Sequence, residues 1–457
     1  MTANSKQTNR ISRRVFLKGS AAVATGTFGL PYIITSTALG SRATPPASER
    51  ITIGHIGVGG MGSGHVRGFA NQSASQSVAT CDPVKSRRRQ WAKYFDDHYA
   101  QTSPTATFKG CTPYNDFREL LARDDIDAVV IATPCHWHVP IALAAARAGK
   151  DIYVEKPLGL SVTQGRTLRE TAKRYKNVIQ YGTQQRSSRD FRFVCELVRN
   201  RRIGKLHTIL VWCAAGQAGG SMTPMPVPEG FDYDLWLGPA PWAQFTHDRC
   251  FARGKNWISD YALGFIAGWG AHPLDIAQWG NNTDHTSPIE YEGKGLFPTD
   301  GLFDTAISWD VWCTYADGVK MHFMSADVAQ PIIERYGPFK TYGTMFIGSE
   351  GWVRVDRGRV YAGPESLLKS KIGPDEINLS QSHDHKRNFL DCIKSRSEPI
   401  SPITAAVRSD TISHLSEIAI RTGRKIKWDP EKEVIIDDPS ASRMLSRAMR
   451  SPWSLHG

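Results

Sequence analysis

The most constraining feature of this sequence is a glycine turn that follows its first apolar run. Residues 51–56 read Ile-Thr-Ile-Gly-His-Ile, and Gly57, Gly59 and Gly62 follow in the spacing G-x-G-x-x-G. In such a turn the first glycine bends the chain, the second lets backbone amides reach a pyrophosphate, and the third lets the next helix pack against the strand. The pattern therefore predicts a strand, a turn and a helix that together hold a dinucleotide.

An acidic residue at the end of the next apolar run indicates which dinucleotide is bound. Asp82 closes the run at 77–82, twenty residues after Gly62. A carboxylate at this place accepts hydrogen bonds from both ribose hydroxyls and repels a 2′-phosphate. We therefore predict NAD as the cofactor. The cations at positions 85 and 87–89 keep NADP open as an alternative.

The runs that follow alternate between strand and helix patterns. Residues 126–133 form a continuous apolar run, as in a buried parallel strand, and an alanine-rich helix is predicted at 139–148. Further short strands are predicted at 151–154 and 177–181. Strands that alternate with helices predict an α/β fold with a doubly wound parallel sheet, which is a Rossmann dinucleotide-binding domain over residues 51–184.

From about residue 185 the pattern changes to that of a sheet with one covered face. Strand-like runs with partial alternation of apolar and polar residues include 206–213, 305–315 and 319–326. We predict an α+β domain over residues 185–457, with an open, mostly antiparallel sheet and C-terminal helices and tail. Because an open sheet leaves one face free for contact with another subunit, we expect a homodimer or homotetramer.

The first forty residues are typical of an export signal. Arg13 and Arg14 precede Val-Phe-Leu-Lys, and residues 19–40 carry no charge and are only weakly apolar. This arrangement resembles a twin-arginine signal peptide. We predict a signal peptide at 1–40, a linker at 41–50 and export to the periplasm or beyond by the twin-arginine machinery, with no stable membrane insertion. A transmembrane anchor stays open as the alternative.

The remaining composition argues against several kinds of partner and site. The net charge is +12, but no long basic run with interleaved aromatic residues occurs, so we predict no nucleic-acid partner. The eight cysteines are scattered without a C-x-x-C pair, which favours buried thiols over disulfides or metal ligands. His136 and His138 lie close together after the central strand, but no third ligand has a telling spacing. We therefore predict no metal site there and expect contact with the cofactor instead.

Several ordered motifs resemble the Gfo/Idh/MocA oxidoreductase family. They are the glycine turn, Thr-Pro-Cys-His-Trp-His at 133–138, Glu-Lys-Pro at 155–157, and the later motifs at 182–186, 233–239 and 269–275. The later motifs resemble a bacterial branch that often carries twin-arginine signals. The resemblance implies oxidation or reduction of a secondary alcohol of a sugar, inositol or glycoside with a nicotinamide cofactor. It also includes relatives that release an aglycone by oxidation and elimination, and a few that only sense ligands.

Two residues within these motifs are candidates for the chemistry on the alcohol. Oxidation removes the hydroxyl proton while a hydride leaves the same carbon, so it needs a base and a nearby cation. Lys156, at the carboxyl end of a strand, is suited to stabilise the alkoxide, and the resemblance implies a cis bond to Pro157. The resemblance also implies that His272 faces the nicotinamide, which makes it the candidate base. A solvated lysine and a helix-capping histidine are the structural alternatives.

The motifs and one long irregular segment supply the other predicted contacts. The predicted cofactor contacts are Gly57, Gly59, Gly62, Asp82, Thr133, His138, Glu155 and Lys156. The irregular segment at 216–256 is rich in proline, glycine and aromatic residues, and sugar faces stack on aromatic rings. The predicted substrate contacts in and after it are Trp236, Arg249, Asn256, Trp257 and Tyr261.

One position departs from the family pattern. Many members have a carboxylate four residues before the histidine, where this chain has Gly268, and Asp260 is a candidate replacement. We predict an exported NAD(P)-dependent oxidoreductase that acts on a secondary alcohol of a sugar or glycoside. The alternatives are an NAD-dependent glycosidase that works by transient oxidation and elimination, and a non-catalytic sugar- or nucleotide-binding protein. Gly268 is the only sequence support for the last of these.

Overall fold

Short runs of buried apolar residues in the first part of the chain form the strands of one parallel sheet. The computed structural model describes residues 45–101, 108–251 and 253–456. The strands are β1 Ile51–Ile56, β2 Ser75–Cys81, β3 Thr112–Tyr114, β4 Ala128–Ile131, β5 Asp151–Val154 and β6 Ile179–Tyr181. The helices are α1 Gly60–Ala70, α2 Lys85–Ala100, α3 Phe117–Leu121, α4 Cys135–Arg147 and α5 Val162–Tyr175.

The order of these strands confirms the predicted Rossmann architecture. Within the described residues the sheet runs β3-β2-β1-β4-β5-β6, and its neighbouring strands are all parallel. The strand order reverses between β1 and β4, and in such sheets ligands bind outside the carboxyl ends of the strands at this point. The glycine turn follows β1 and Thr133 follows β4, so both lie at this edge.

Helix α4 begins earlier than the sequence pattern predicts. It starts at Cys135 rather than at residue 139, so His136 and His138 lie in its first turns. Pro140 lies inside the helix, and an interior proline is why the pattern favours a later start. Both histidines are therefore held rigidly by a buried helix rather than by a loop.

The second part of the chain forms a mixed sheet. Its strands are β7 Leu206–Cys213, β8 Glu290–Leu296, β9 Ser308–Thr314, β10 Lys320–Ser325, β11 Gly343–Gly348, β12 Trp352–Asp356, β13 Arg359–Gly363, β14 Ile426–Asp429 and β15 Val434–Ile436. Across the described residues their order is β13-β12-β11-β7-β10-β9-β8-β14-β15. Only the β7–β10 pair within this sheet is parallel. The predicted open, mostly antiparallel sheet is therefore confirmed.

Helices and short turns accompany this second sheet. They are α6 Arg189–Arg199, α7 Tyr233–Leu237, α8 His247–Cys250, α9 Phe265–Gly268, α10 Ala271–Gly280, α11 Ala326–Ile333, α12 His385–Ser395, α13 Ile403–Thr422 and α14 Pro439–Ser442. The irregular segment at 216–256 thus contains two short helices, α7 and α8. The face of the sheet that packs on α6, α10 and α13 forms the largest apolar cluster of the described residues.

A buried ion-pair network holds helix α10 against the first part of the chain. The Arg186 guanidinium, just after β6, binds the Asp275 carboxylate on α10 in a bidentate manner, at 2.7 and 2.8 Å. It also binds Asp284 at 2.8 and 2.9 Å. Asp275 therefore has a structural role, and the helix that carries His272 has a defined position relative to the parallel sheet.

Several predictions concern the N-terminal residues or the assembly and stay predictions. Residues 1–40, the predicted signal peptide, are not among the described residues, and neither are residues 41–44 of the predicted linker. The predicted domain boundaries and the expected homodimer or homotetramer stay predictions as well. Residues 49–457 form one compact unit that contains both sheets. Among the described residues, no helix has both the length and the apolar character to cross a membrane.

Candidate functional site

The glycine turn is built so closely that two of its glycines admit no side chain. Gly57 has a φ of +82°, and a Cβ there would lie 2.7 Å from the Thr133 backbone nitrogen. A Cβ on Gly62 would lie 1.9 Å from the Gly57 carbonyl oxygen. A Cβ on Gly59 would meet only the Arg87 guanidinium, at 3.6 Å. Gly57 and Gly62 thus shape the turn, while Gly59 faces open space next to a cation.

This turn lines a cavity of about 690 Å³ that both parts of the chain enclose. Most of the predicted cofactor contacts line it: Gly57, Gly59, Asp82, Thr133, His138, Glu155 and Lys156. The second part of the chain contributes residues that include Trp236, Asn256, Gly268 and Trp269. The cavity therefore joins the carboxyl edge of the parallel sheet to the segments that were predicted to contact substrate.

The polar groups of this edge fit a dinucleotide. Asp82 Oδ2 accepts a hydrogen bond from the Val58 amide at 3.1 Å, so the acidic residue is tied to the glycine turn itself. Burial raises the pKa of Asp82, against the effect of the backbone amides and Arg87. The Thr133 hydroxyl is buried and has no hydrogen-bond partner among the described residues. A narrow glycine cradle, a cation beside it and an unpartnered hydroxyl are together suited to the phosphates and ribose of NAD.

Lys156 projects from the end of β5 into this cavity. The Lys156–Pro157 bond is cis, as the family resemblance implies. The Lys156 ammonium donates a hydrogen bond to the Gly268 carbonyl oxygen at 2.8 Å. Burial lowers the pKa of Lys156, Glu155 opposes that shift, and Arg357 adds to it. An ammonium has three donors, so further donors of Lys156 are free for a ligand.

Glu155 is a buried carboxylate next to Lys156, with hydrogen-bond partners on both of its oxygens. Its Oε1 lies 2.9 Å from His65 Nε2 and accepts a hydrogen bond from Gln184 at 3.1 Å. Burial raises the pKa of Glu155, but His65 and the charge of Lys156 outweigh burial and lower this pKa to about 2. Glu155 therefore serves mainly to position its neighbours and to balance the lysine charge.

His272 lies close to Lys156 but is buried. Its side chain is 3% exposed and does not line the cavity. Its Nδ1 atom has no hydrogen-bond partner among the described residues. Burial lowers the pKa of His272 well below its usual value, and the charges of Lys156 and Arg357 lower it further. These shifts favour the neutral imidazole, whose buried Nδ1 is left without a partner among the described residues.

Comparison with known proteins supports the same assignment. The family model for the oxidoreductase family's NAD-binding Rossmann fold, of the Gfo/Idh/MocA type, matches residues 51–183. The model for the C-terminal alpha/beta domain of the same family matches residues 205–455, more than half of the chain. The chain belongs to the Gfo/Idh/MocA oxidoreductase family. Its predicted fold and its predicted cofactor, NAD, are therefore both confirmed.

Curated relatives of this Gfo/Idh/MocA protein include glycosidases. A "Glycosyl hydrolase family 109 protein 1" of Shewanella sp. (strain ANA-3) and an "Alpha-N-acetylgalactosaminidase" of Shewanella oneidensis are each 31% identical to it over 212 residues. Each match covers 43% of this chain and 45% of the relative, so the chain spans less than half the length of these curated relatives. Among solved structures, GenD2 from gentamicin A biosynthesis in complex with NAD has a TM-score of 0.59 at 18% identity, over 85% of this chain and 98% of that one.

The two paired histidines of this family member are engaged by backbone groups. His138 Nδ1 lies 2.7 Å from the Pro157 carbonyl oxygen, and its Nε2 lies 2.9 Å from that of Thr133. His136 Nε2 lies 2.9 Å from the Trp236 carbonyl oxygen. Within the described residues no group of three His, Cys, Asp or Glu side chains has an arrangement that could hold a metal ion. Although His138 borders the cavity, its ring atoms hold the Glu-Lys-Pro turn to the end of β4.

The predicted substrate contacts divide into two groups. Trp236 and Asn256 line the cavity. Arg249, Trp257 and Tyr261 do not line it: Arg249 donates a hydrogen bond to the Tyr261 hydroxyl at 3.0 Å, and Trp257 packs on Phe265 with ring centroids 4.3 Å apart. Arg249, Trp257 and Tyr261 therefore pack behind the residues that line the cavity, because each contacts another side chain instead of the cavity.

Asp260 does not replace the missing family carboxylate. It lines a different cavity, of about 510 Å³, beneath the C-terminal tail. Burial raises the pKa of Asp260, and the nearby charge of Asp304 raises it further. At the position of the missing carboxylate, the Gly268 backbone carbonyl itself accepts the hydrogen bond from Lys156.

Sequence reasoning missed three residues around Lys156. Lys255 and Trp269 line the cavity, and Arg357 lies over the Trp269 ring at 5.2 Å from its centroid. Lys255 lies in the irregular segment at 216–256, which its aromatic residues had already identified as a candidate for substrate binding. Its positive charge could therefore have been predicted to belong to the site. Arg357 lies in a turn far along the chain and only the fold brings it to the site.

Proposed function

We propose that this protein transfers a hydride between NAD and a secondary alcohol of a sugar or glycoside. The observation that carries the proposal is the position of Lys156, a half-buried lysine with a lowered pKa and free donors in the cavity that the glycine turn lines. The family assignment to oxidoreductases supports it, as do carbohydrate-active relatives. NAD, when bound, supplies the hydride acceptor or donor.

Lys156 is the residue we assign to the hydroxyl group. In its ammonium form it donates a hydrogen bond that stabilises negative charge on the substrate oxygen. In its neutral form it accepts the hydroxyl proton, and burial favours that form by lowering the pKa. The Gly268 carbonyl fixes the direction of the side chain.

His272 is assigned a secondary role beside Lys156. Its buried, neutral imidazole leaves Nδ1 free to accept a proton or a hydrogen bond. Its strongly lowered pKa makes it a weaker proton acceptor than the sequence pattern predicts. We therefore assign it a supporting role, in which a neutral imidazole near Lys156 adds no further positive charge next to the ammonium.

The test is turnover of a sugar panel by the purified protein with NAD, followed by nicotinamide absorbance. Lys156→Met is expected to lower kcat at least 100-fold, because one positioned proton-transfer group contributes about 10²–10⁴-fold. Lys93→Met is the control, since Lys93 is exposed and its one ion pair in the part of the chain that the structure describes is with Asp97. Full activity of Lys156→Met on an accepted sugar would show that the assignment is wrong.

A second candidate is an NAD-dependent glycosidase that oxidises its substrate transiently and eliminates the aglycone. The similarity to two Shewanella proteins named as glycosidases favours it. Nitrophenyl glycosides separate the two candidates. A glycosidase releases nitrophenol from them with no net NADH, whereas a dehydrogenase accumulates one NADH for each sugar oxidised.

A further inference from the structure

An arginine from the second sheet contacts the same tryptophan ring as the proposed catalytic lysine. Arg357 occupies the turn between β12 and β13, and its guanidinium carbon is 5.2 Å from the Trp269 ring centroid and 5.7 Å from that of Tyr342. These two rings stack on each other, with centroids 5.2 Å apart. Lys156 Nζ is 5.7 Å from the centroid of the same Trp269 ring. Both cations therefore contact the Trp269 indole, which also lines the cavity.

Arg357 is close enough to the site to act on its charges. Its guanidinium lowers the pKa of both Lys156 and His272. Two groups on different elements, Lys156 and His272, are thus influenced by the same arginine.

Within residues 45–101, 108–251 and 253–456, no acidic side chain forms an ion pair with this arginine. Among the described residues Arg357 has neither a hydrogen bond nor an ion pair, and its side chain is exposed. It does not line the cavity itself, but it lies over the Trp269 ring, which does. The nearest acid to Lys156, Glu155, is occupied by His65 and Gln184. The position where many family members have a carboxylate is Gly268. Lys156 and Lys255 line the cavity near Trp269, and Arg357 lies over the Trp269 ring, so positive charge exceeds negative charge at this end of the cavity.

We propose that Arg357 binds an anionic oxygen group of the substrate, so that the enzyme prefers acidic sugars or glycosides over their neutral counterparts. This inference rests on the proposed function for its substrate class. The planar guanidinium matches carboxylate and phosphate oxygens in a bidentate manner. The neighbouring Trp269 ring supplies the apolar surface on which a sugar face packs. A second arginine that lines the cavity, Arg87, lies beside Gly59 of the glycine turn, so we assign it to the cofactor and not to the substrate.

The test compares matched substrates that differ only in charge. The substrates are glucose with glucuronate, methyl glucoside with methyl glucuronide, and glucose with glucose 6-phosphate, each with NAD. Wild-type protein is expected to have a KM at least tenfold lower for the carboxylate or the phosphate member of a pair. Which acid shows this preference identifies the group as a carboxylate or a phosphate. Equal KM values within every pair would overturn the proposal.

Variants then assign the preference to Arg357. At a pH on the plateau of each variant's own pH–rate profile, Arg357→Gln is expected to raise KM for the anionic member about tenfold and to leave KM for the neutral member nearly unchanged. Arg357→Lys is expected to restore part of the loss. Arg359→Gln is the matched control, because Arg359 comes from the same hairpin and stacks on Tyr361 at 5.2 Å. An equal effect of Arg357→Gln on both members of a pair would contradict a role in charge recognition.

A binding measurement separates this inference from the proposed reaction. NAD-loaded protein is heated with glucuronate, glucose 6-phosphate or glucose, and the midpoint of unfolding is recorded. Larger stabilisation by an acidic sugar, lost in Arg357→Gln but not in Arg359→Gln, supports the anion site even if no sugar is turned over. Equal stabilisation by acidic and neutral sugars, or the same shift in Arg357→Gln as in wild type, overturns it. Failure of every sugar to change the nicotinamide absorbance contradicts the proposed reaction alone.

Discussion

At the residue scale, the space around the Cα atom differs sharply between two glycines of helix α1, Gly62 and Gly64. A Cβ on Gly62 would overlap the Gly57 carbonyl, whereas a Cβ on Gly64, two residues further along α1, would meet no described atom within 4 Å outside the backbone of its own helix. Gly62→Ala is expected to destabilise the NAD-free protein by about 1–3 kcal/mol, because the backbone must shift. Gly64→Ala is expected to stabilise it by up to about 1 kcal/mol, since alanine favours a helix.

Urea unfolding of the NAD-free variants measures both effects. Gly62→Ala should in addition lose most of the stabilisation that NAD gives to wild type, because the turn can no longer approach the phosphates. Equal stabilities of Gly62→Ala and Gly64→Ala would contradict the close packing of the turn.

The charges around Lys156 predict a pH dependence of the reaction. Because burial lowers the pKa of Lys156, its neutral form appears below the ordinary lysine pKa of 10.5. We expect kcat/KM for alcohol oxidation to rise with pH and to level off at an apparent pKa below 10.5. Glu155 raises the pKa of Lys156 and Arg357 lowers it. The rising limb should therefore move to lower pH in Glu155→Gln and to higher pH in Arg357→Gln.

A pH–rate series on a neutral sugar, from pH 6 to about 10.5, measures these shifts. Lys93→Met serves as the control and should leave the limb in place. The same direction of shift in Glu155→Gln and Arg357→Gln would show that a different group controls the profile.

At the scale of elements, the Arg186 network determines how helix α10 and the parallel sheet meet. Arg186 is 2% exposed and Asp275 is 1% exposed, so removing the arginine leaves a buried carboxylate unpaired. We expect Arg186→Met to cost about 3–5 kcal/mol of the free energy of unfolding. The exposed Lys93–Asp97 pair on α2 offers a comparison, and Lys93→Met should cost less than about 1 kcal/mol.

Chemical unfolding of the two variants gives this comparison directly. The double variant Arg186→Met with Asp275→Leu should recover part of the loss, because it removes the unpaired charge. If Arg186→Met were no more destabilising than Lys93→Met, the network would not position the helix that carries His272.

At the scale of the whole molecule, the N-terminal residues and the NAD site lead to one prediction about location. Arg13 and Arg14 precede the described residues, and the twin-arginine route exports proteins that are already folded. We propose that the protein is loaded with NAD before export. Replacing both arginines by lysine should keep the protein in the cytoplasm, as measured by cell fractionation. Release of the variant in wild-type amounts would contradict the twin-arginine assignment, and nucleotide analysis of the exported wild type would test loading.

The cofactor end of the site could be predicted from the sequence because it depends on local geometry. Gly57 and Gly62 are required by contacts within one turn, and Asp82 closes the strand that pairs with β1. Such features follow from a short stretch of chain whose backbone leaves few alternatives. The strand pattern also sufficed for the parallel sheet, although the interior Pro140 displaced the predicted start of α4.

The substrate end depended on packing between distant segments. The sequence pattern did not predict that the Gly268 carbonyl would bind Lys156, that His272 would be buried, or that Asp260 would face another cavity. It also did not bring Arg357 to Trp269. Motif spacing by itself thus determined that this chain holds a dinucleotide and has a lysine at the strand edge. Tertiary structure alone decided which charges surround that lysine, because burial and long-range contacts set the charge and accessibility of each group.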